Sequence, residues 1–409
     1  MPRAPTDTSM PDLSVALAAA RRQIARLTAE LDSAALSHRR WHVFEGARGV
    51  SRGDRHAPRS LIQRMIQAYQ AANLDTYDGN SMWTLYFHGK HLDAHNFLMA
   101  GDVEAVSNAW SNPGGNFIFW GFEEINQSST AAYRSSPAVD PSPRIYDNLL
   151  RLAEAAGVTR LEYPEAPQRT TFEPVEAILE GLDQVMGFRI DFPNPFPGEY
   201  GLQTSRGVAS YRAIQALYQA HRTKLLLADR PDAKVLEIGA GLGRSAYYCV
   251  RAGIKDYTII DIPFTNASQA FYLGLTLGEE QVALNGEDRV ASVKILTPSE
   301  FVGGAERYDL IVNFDSMTEI DTDTQRSYMA EIIARADIFL SVNHEHNTRS
   351  VHGWIAELLP NARASRHPYW MRNGYVEEVL VVPPAAQDPA PATFIERLRR
   401  YVMGARRPD

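Results

Sequence analysis

Residues 234–243 read KVLEIGAGLG, and the chain returns at 257–263 with YTIIDIP, which places Asp261 at the end of a second apolar run. The pair predicts two parallel strands that deliver their key residues at their carboxyl ends, where open α/β sheets bind ligands. Val235, Leu236 and Ile238 supply the continuous apolar run of a strand buried on both faces. Gly239, Gly241 and Gly243 let the backbone turn sharply and lie close to a ligand, because a Cβ there would intrude. Their spacing is GxGxG. A dinucleotide fingerprint needs glycine at position 244, where this chain has Arg244, and a phosphate loop needs GxxxxGK followed by Ser or Thr. The loop therefore suits a nucleoside without a pyrophosphate. A Rossmann-like turn that binds some other nucleoside, or nothing, is the alternative at this point.

Glu237, the glycines and Asp261 in this register resemble the class I S-adenosylmethionine (SAM)-dependent methyltransferases. The resemblance implies that Glu237 positions the methionine amino group, directly or through water. It implies that Gly239, Ala240, Gly241 and Gly243 pass under the methionine portion, and that Asp261 takes the two ribose hydroxyls. Ile262, Asn313 and Tyr211 are assigned to the cofactor with them. An ionised carboxylate is acceptor-only and can accept from both hydroxyls of a diol, which agrees with the role given to Asp261. The stretches LEIGAGLGRSAYY, TIIDIP, NFDSMTEI and SVNHEHN, with the RAIQALYQAHR segment ahead of them, are similar to a bacterial family of sugar O-methyltransferases over residues 195–382. The aromatic NFIFWGFEE extends the similarity toward the N-terminus. It implies methyl transfer from SAM to a hydroxyl of a sugar, a glycosylated metabolite or another small molecule. A C- or N-methyltransferase of specialised metabolism with the same cofactor site, and a non-catalytic scaffold on the same fold, are the competing readings.

At 409 residues the chain is long enough for a cofactor domain and a substrate domain. A net charge of −8 with no long Lys/Arg stripe excludes the clustered basic surface that nucleic-acid binding needs. The single cysteine, Cys249, cannot form an internal disulfide and is expected to be a buried core thiol, which suits a reducing cytoplasm. No apolar run approaches the roughly 18 residues of a membrane span.

Four regions are expected. Residues 1–43 hold a polar tip and a heptad over 10–34, with Met10, Leu17, Ile24 and Leu31 at one core position and Leu13, Ala20, Leu27 and Ala34 at the other. Such a helix either folds back on its own chain or pairs with a second copy, and a homodimer is the expectation. Residues 44–191 are mainly helical and aromatic-rich, with 44–58 as a linker, and form a substrate or oligomerisation region. Here His88, His91 and His95 share a helical face, but packing or surface histidines are expected rather than a metal centre. Residues 192–382 form the methyltransferase domain, an α/β, doubly wound, Rossmann-like sheet. Its elements are strand 234–239, helix 243–252, strand 257–261, helix 265–277, strands 289–295 and 308–314, helix 323–334, strand 336–343, helix 349–358, and a terminal hairpin of a stretch near 363–367 and strand 375–382. Residues 383–409 are a Pro/Ala linker and a short basic helix.

Methyl transfer from a sulfonium is an in-line displacement, so the acceptor must be held against the methyl group and, if it is a hydroxyl, lose a proton. The candidates stand at the ends of the fourth and fifth core strands, in IVNFDSMTEI and FLSVNHEHNTRS. His344 or His346 is the preferred base, since an imidazole titrates near neutrality. Glu319 or Asp315 orients that imidazole, acts as base itself, or helps bind Mg²⁺ through oxygens. The polar, Pro/Gly-rich stretch 192–207 is expected to lack regular structure and to be either a plain surface turn or a hinge that brings Glu199, Tyr200 and Arg206 to the substrate mouth, with Trp370 a further residue to reach the acceptor. Arg349, His352 and Arg372 are further candidates to reach the acceptor.

Overall fold

The computed structural model of the protein describes residues 20–26, 46–53, 56–74, 81–123, 125, 140–160, 173–228, 230, 232–347 and 349–383. Most of the 10–34 heptad and the C-terminal basic helix lie outside them; the described part of the heptad, 20–26, is helical and exposed.

Two sheets are present among the described residues. The smaller joins β1 (Arg48–Arg52), β2 (Pro197–Thr204) and β3 (Gly207–Ser210) in the antiparallel order β1-β2-β3. This corrects two expectations, since 44–58 and 192–207 were both read as irregular. The middle strand is disguised by its own packing. Pro197 stands at its first residue, where the lost donor is tolerated. A Cβ on Gly201 would lie 2.2 Å from the Ala209 carbonyl oxygen, so only glycine lets the strands approach there.

The larger sheet carries the motif. Its strands are β4 (Lys234–Ile238), β5 (Asp256–Ile260), β6 (Val282–Leu284), β7 (Val293–Leu296), β8 (Tyr308–Phe314), β9 (Ala336–His344), β10 (Ala364–Pro368) and β11 (Tyr375–Val381). They lie in the order β10-β11-β9-β8-β4-β5-β7-β6, with β11 alone running antiparallel to its neighbours. The chain builds outward from β4 through β5 toward one edge, then restarts on the other side at β8. The crevice between β4 and β8 is thus the switch point at which such sheets bind ligands. The expected α/β doubly wound sheet is present. The strand expected at 289–295 begins at Val293, and the edge strand β6 is three residues long, too short to show in the sequence pattern.

Alternation along the strands divides the interior. Val235, Ile259, Val312 and Leu340 face one apolar core, and Leu236, Ile260, Ile311 and Phe339 face a second on the other side. The first core is continuous with the preceding helices, including 59–70, 103–111, 142–155 and 175–186. Helix 59–70 meets helix 263–277 so closely that a Cβ on Gly274 would be 2.6 Å from Leu61. Trp110 is fully buried and donates its indole N–H to Ser268 Oγ at 3.2 Å. The helical layer is therefore packed onto the sheet through a shared core.

Candidate active site

The carboxyl ends of β4, β5 and β8 open into a cavity of about 530 Å³, a size suited to a small ligand. Its floor is the glycine loop. Gly239, Gly241 and Gly243 all have positive φ, at 70°, 56° and 87°. A Cβ on Gly239 would strike Ser316 Oγ at 2.2 Å, whereas one on Gly241 would meet only the Phe122 carbonyl, at 3.7 Å. Gly239 is thus dictated by packing, and Gly241 by its backbone conformation beside the cavity. Gly239, Ala240 and Gly241 line the cavity, as do Glu237, Asp261, Ile262 and Tyr211. Gly243 begins helix 244–251 and packs against Leu273 instead.

Two acids flank this floor. Glu237, at 1% exposure, accepts the Tyr257 hydroxyl at 2.8 Å, and burial pushes its carboxyl up to about 8. Asp261 ends β5 with one oxygen accepting the Ile262 N–H at 2.8 Å and the other the Gln269 amide at 2.7 Å. Desolvation pushes Asp261 up to about 7 against those hydrogen bonds. Gln269 also donates to the Gly241 carbonyl at 3.0 Å, tying the loop to the acid. It is a cavity-side organiser that the sequence did not disclose, since a mid-helix glutamine has no motif of its own.

Asn313 is placed differently from its expected role. It is fully buried and outside the cavity lining. Its amide donates to the Ile238 carbonyl at 2.9 Å and to Ser316 Oγ at 2.6 Å, while its oxygen accepts from Met317 N–H and from Asn343. Asn343 donates in turn to Ser341 Oγ at 2.9 Å. These amides weld the ends of β4, β8 and β9.

Beyond the weld lies the polar end of the cavity. Asp315 adopts a left-handed conformation with φ 58°, a region open to Asp at some cost. Its two oxygens receive Tyr375 OH at 2.6 Å and Arg372 at 2.8 Å, and Arg212 lies 3.7 Å away. Glu319 follows on a short 3₁₀ turn, and burial with the charge of Asp315 pushes it up to about 7 against the pull of Arg212 and Arg372. Asp315, Glu319 and His344 bring one ligand-capable atom each within 4.8 Å of one another. Asp315 and Glu319 line the cavity; His344 sits behind them, with Nε2 3.4 Å from Thr318 Oγ1 and its ring against Tyr375. His346 is exposed, away from the lining.

The expected substrate residues do not meet here. Glu199 is buried and paired with Arg244 at 2.8 Å. Tyr200 donates to Asp140 at 2.8 Å, and Arg206 reaches both oxygens of Asp183 at 2.7 Å. Trp370 donates its indole N–H to the Arg151 carbonyl at 3.0 Å. None of the four lines the cavity, because their polar groups are engaged in fastening elements together. Arg349 pairs with Glu357, and His352 with Glu378 at 2.9 Å, so of those further candidates only Arg372 reaches the cavity.

The opposite wall comes from the helical layer: Ser81, Trp83, Gly121, Phe122 and Glu123. The three histidines of that layer do not converge. His88 is exposed, His95 Nδ1 pairs with Tyr69 OH at 2.8 Å, and His91 stacks on Phe264 at 4.2 Å, with burial lowering it to about 4. Cys249 is buried, which pushes its thiol up.

No protein-family model matches the chain, and no curated protein matches it. Among solved structures, magnesium protoporphyrin IX methyltransferase ChlM from Synechocystis PCC 6803, with bound SAM, is 14% identical, with a TM-score of 0.29 over 41% of this chain and 83% of that one. CalS10, an amino pentose methyltransferase from Micromonospora echinaspora, is 12% identical, with a TM-score of 0.31 over 42% and 94%. The methyltransferase domain of bacterial CtHen1 is 12% identical, with a TM-score of 0.30 over 40% and 97%. Likenesses this remote carry no residue-level information, and the chemistry has to come from the site itself.

Proposed function

We propose that this chain is a SAM-dependent O-methyltransferase that acts on a hydroxyl of a small molecule, a sugar or glycosylated metabolite by preference, with Glu319 as the general base. The observation that carries the reading is a shared cavity. One wall has the glycine loop, Glu237 and Asp261; the other end has a carboxyl poised to accept a proton near neutral pH.

The residues fit the group. Gly241 leaves its side of the loop open, Asp261 keeps a second lone pair on each of its two engaged oxygens, and Glu237 holds a buried acid that a neighbouring cation would return to its ionised form. When bound, SAM supplies an activated methyl group on a sulfonium. Glu237 would hold the ammonium end, Asp261 the ribose hydroxyls, and Ala240 and Ile262 the walls between them. Glu319 accepts the proton of the acceptor hydroxyl; burial, and then the charge of Asp315, which Arg372 and Tyr375 fix, keep that carboxyl's proton affinity high. His344 steadies the Thr318 and Tyr375 side of the rim. Asp315, Glu319 and His344 are also where Mg²⁺ would sit, but both Asp315 oxygens are already engaged and two guanidiniums stand close, an arrangement that favours proton transfer over a cation. A preference for sugars is supported by aromatic and acidic side chains lining one cavity: Trp83, Tyr211, Tyr369 and Tyr375 with Asp315 and Glu319.

The test has two parts. Calorimetry should show SAM and S-adenosylhomocysteine binding to the purified protein. Release of S-adenosylhomocysteine should then follow addition of hydroxylated acceptors, monosaccharide glycosides among them, and not of matched amines. Binding without turnover on any hydroxyl, combined with turnover on amines, would replace the O-methyl reading with an N-methyl one.

A further inference from the structure

Arg244 stands where a dinucleotide fingerprint would have its last glycine, and the structure gives it a use. It is the first residue of helix 244–251, directly after the glycine loop. Its guanidinium is buried, at 7% side-chain exposure, between two carboxylates that are buried more deeply still. Nε donates to Glu123 at 2.7 Å, and Nη2 lies 2.8 Å from Glu199; the guanidinium carbon is 5.4 Å from the centre of the Tyr272 ring. The two acids belong to different bodies. Glu199 is on the small sheet, held through Asn194 at 2.8 Å and by its own N–H to Ser51 Oγ at 2.9 Å. Glu123 ends the strap 119–123, whose Gly121 and Phe122 form the cavity wall facing the glycine loop.

Beside Glu123, Ile125 is buried in the shared core. Phe119 anchors the start of the strap against Phe196, with ring centres 4.8 Å apart, whereas Trp120 and Gly121 are exposed and Phe122 is only partly covered. At its far end the Glu123–Arg244 pair ties it to the helix that follows the glycine loop. A buried pair of this kind is costly to break from one side, because the partner is left charged and unsolvated.

We propose that Arg244 is a positioning residue that latches the strap 119–123 onto the glycine loop through Glu123, so that strap docking and cofactor binding are one linked equilibrium. The latch gives the cavity its second wall. Glu199 serves as the fixed post that keeps the guanidinium aimed. The inference rests on the SAM reading of the cavity. It makes the strap, rather than the sheet, the element that sets cofactor residence time.

Two isosteric variants separate a latch from a merely structural ion cluster. Glu123→Gln removes the charge on the strap, and Glu199→Gln removes it on the post. In Glu123→Gln the dissociation rate of SAM, followed by stopped-flow tryptophan fluorescence, should rise about tenfold or more, and proteolysis should cut within 117–123 even when SAM is saturating. Glu199→Gln should keep the strap protected and the dissociation rate within about threefold of wild type. Equal effects of the two variants, or a Glu123→Gln protein with wild-type dissociation and protection, would overturn the latch. If Glu123→Gln does not fold, hydrogen exchange of the 117–123 amides in the wild-type protein decides: SAM should slow it, and unchanged exchange refutes the coupling. A wild-type protein that binds no SAM sinks the functional reading instead, and the latch is then judged on strap cleavage in the ligand-free variants.

Discussion

Replacing Glu319 by Gln keeps the volume of the side chain and removes its ability to take a proton. Its carboxyl is held near 7, chiefly by burial and then by Asp315. Only the ionised form can act as base, so wild-type kcat should be nearly flat above about pH 8 and fall about tenfold for each pH unit below about 6. In Glu319→Gln the rate on the alkaline plateau should drop by roughly 10²–10⁴, equivalent to about 3–5 kcal/mol of barrier, and the acid limb should disappear with the group that made it. SAM affinity should stay within about threefold, because Glu319 follows β8 and Asp261 follows β5, with β4 between them. The structure adds an internal check. Arg372 lowers the proton affinity of Glu319, so Arg372→Gln should move the acid limb to higher pH without abolishing it. The assay is the initial rate of S-adenosylhomocysteine release across the pH range, with His344→Ala and His346→Ala as companions. A Glu319→Gln enzyme that retains its limb, or a limb lost only in a histidine variant, refutes the assignment.

Asp261→Ala should weaken SAM binding by roughly 1.5–3 kcal/mol, about ten- to a hundredfold in Kd, because hydrogen bonds to a charged group are lost; unchanged affinity by calorimetry would mean that the ribose lies elsewhere. Glu237 has a folded-state pKa of about 8, raised above its ordinary value, so it stabilises the ligand-free fold most below the ordinary carboxylate range and loses that contribution as pH rises through about 8. Tm of the ligand-free protein should therefore decline between about pH 5 and about pH 8.5 more steeply than in Glu237→Gln, and saturating SAM should flatten the decline. Parallel Tm curves for the two proteins would show that the acid does not titrate in this range.

The core sheet was legible because its strands are buried on both faces and announce themselves as apolar runs. LIVNF, VLEI and TIID need little context, and the loops between them follow from glycine and proline. The small sheet was illegible for a matching reason: Gly201 exists to let Ala209 approach, so the residue that makes the pairing possible also erases the strand pattern. In the site, Glu237 and Asp261 could be named because a motif fixes their register on adjacent strands. The proposed base could not, because the choice among Asp315, Glu319, His344 and His346 depends on which of them is desolvated while facing the cavity, and Glu319 reaches that place on one short 3₁₀ segment. Glu199, Tyr200 and Arg206 misled because a dense polar stretch looks the same whether it greets a ligand or pins two layers together. Nothing in the sequence connects Glu123 to Arg244, 121 residues apart.

The amide weld of Asn313, Asn343 and Ser316 has a consequence for how such an enzyme can diversify. Each of its side chains answers another across the ends of three strands, so a single replacement leaves a buried donor or acceptor stranded and loosens the cavity floor. Trp83 and Phe122 on the opposite wall are only partly buried and meet ring to ring, with centres 6.5 Å apart. New acceptors are therefore most accessible through exchange of those two side chains on an unaltered floor, and a library confined to them should yield altered regiochemistry at little loss of folded protein.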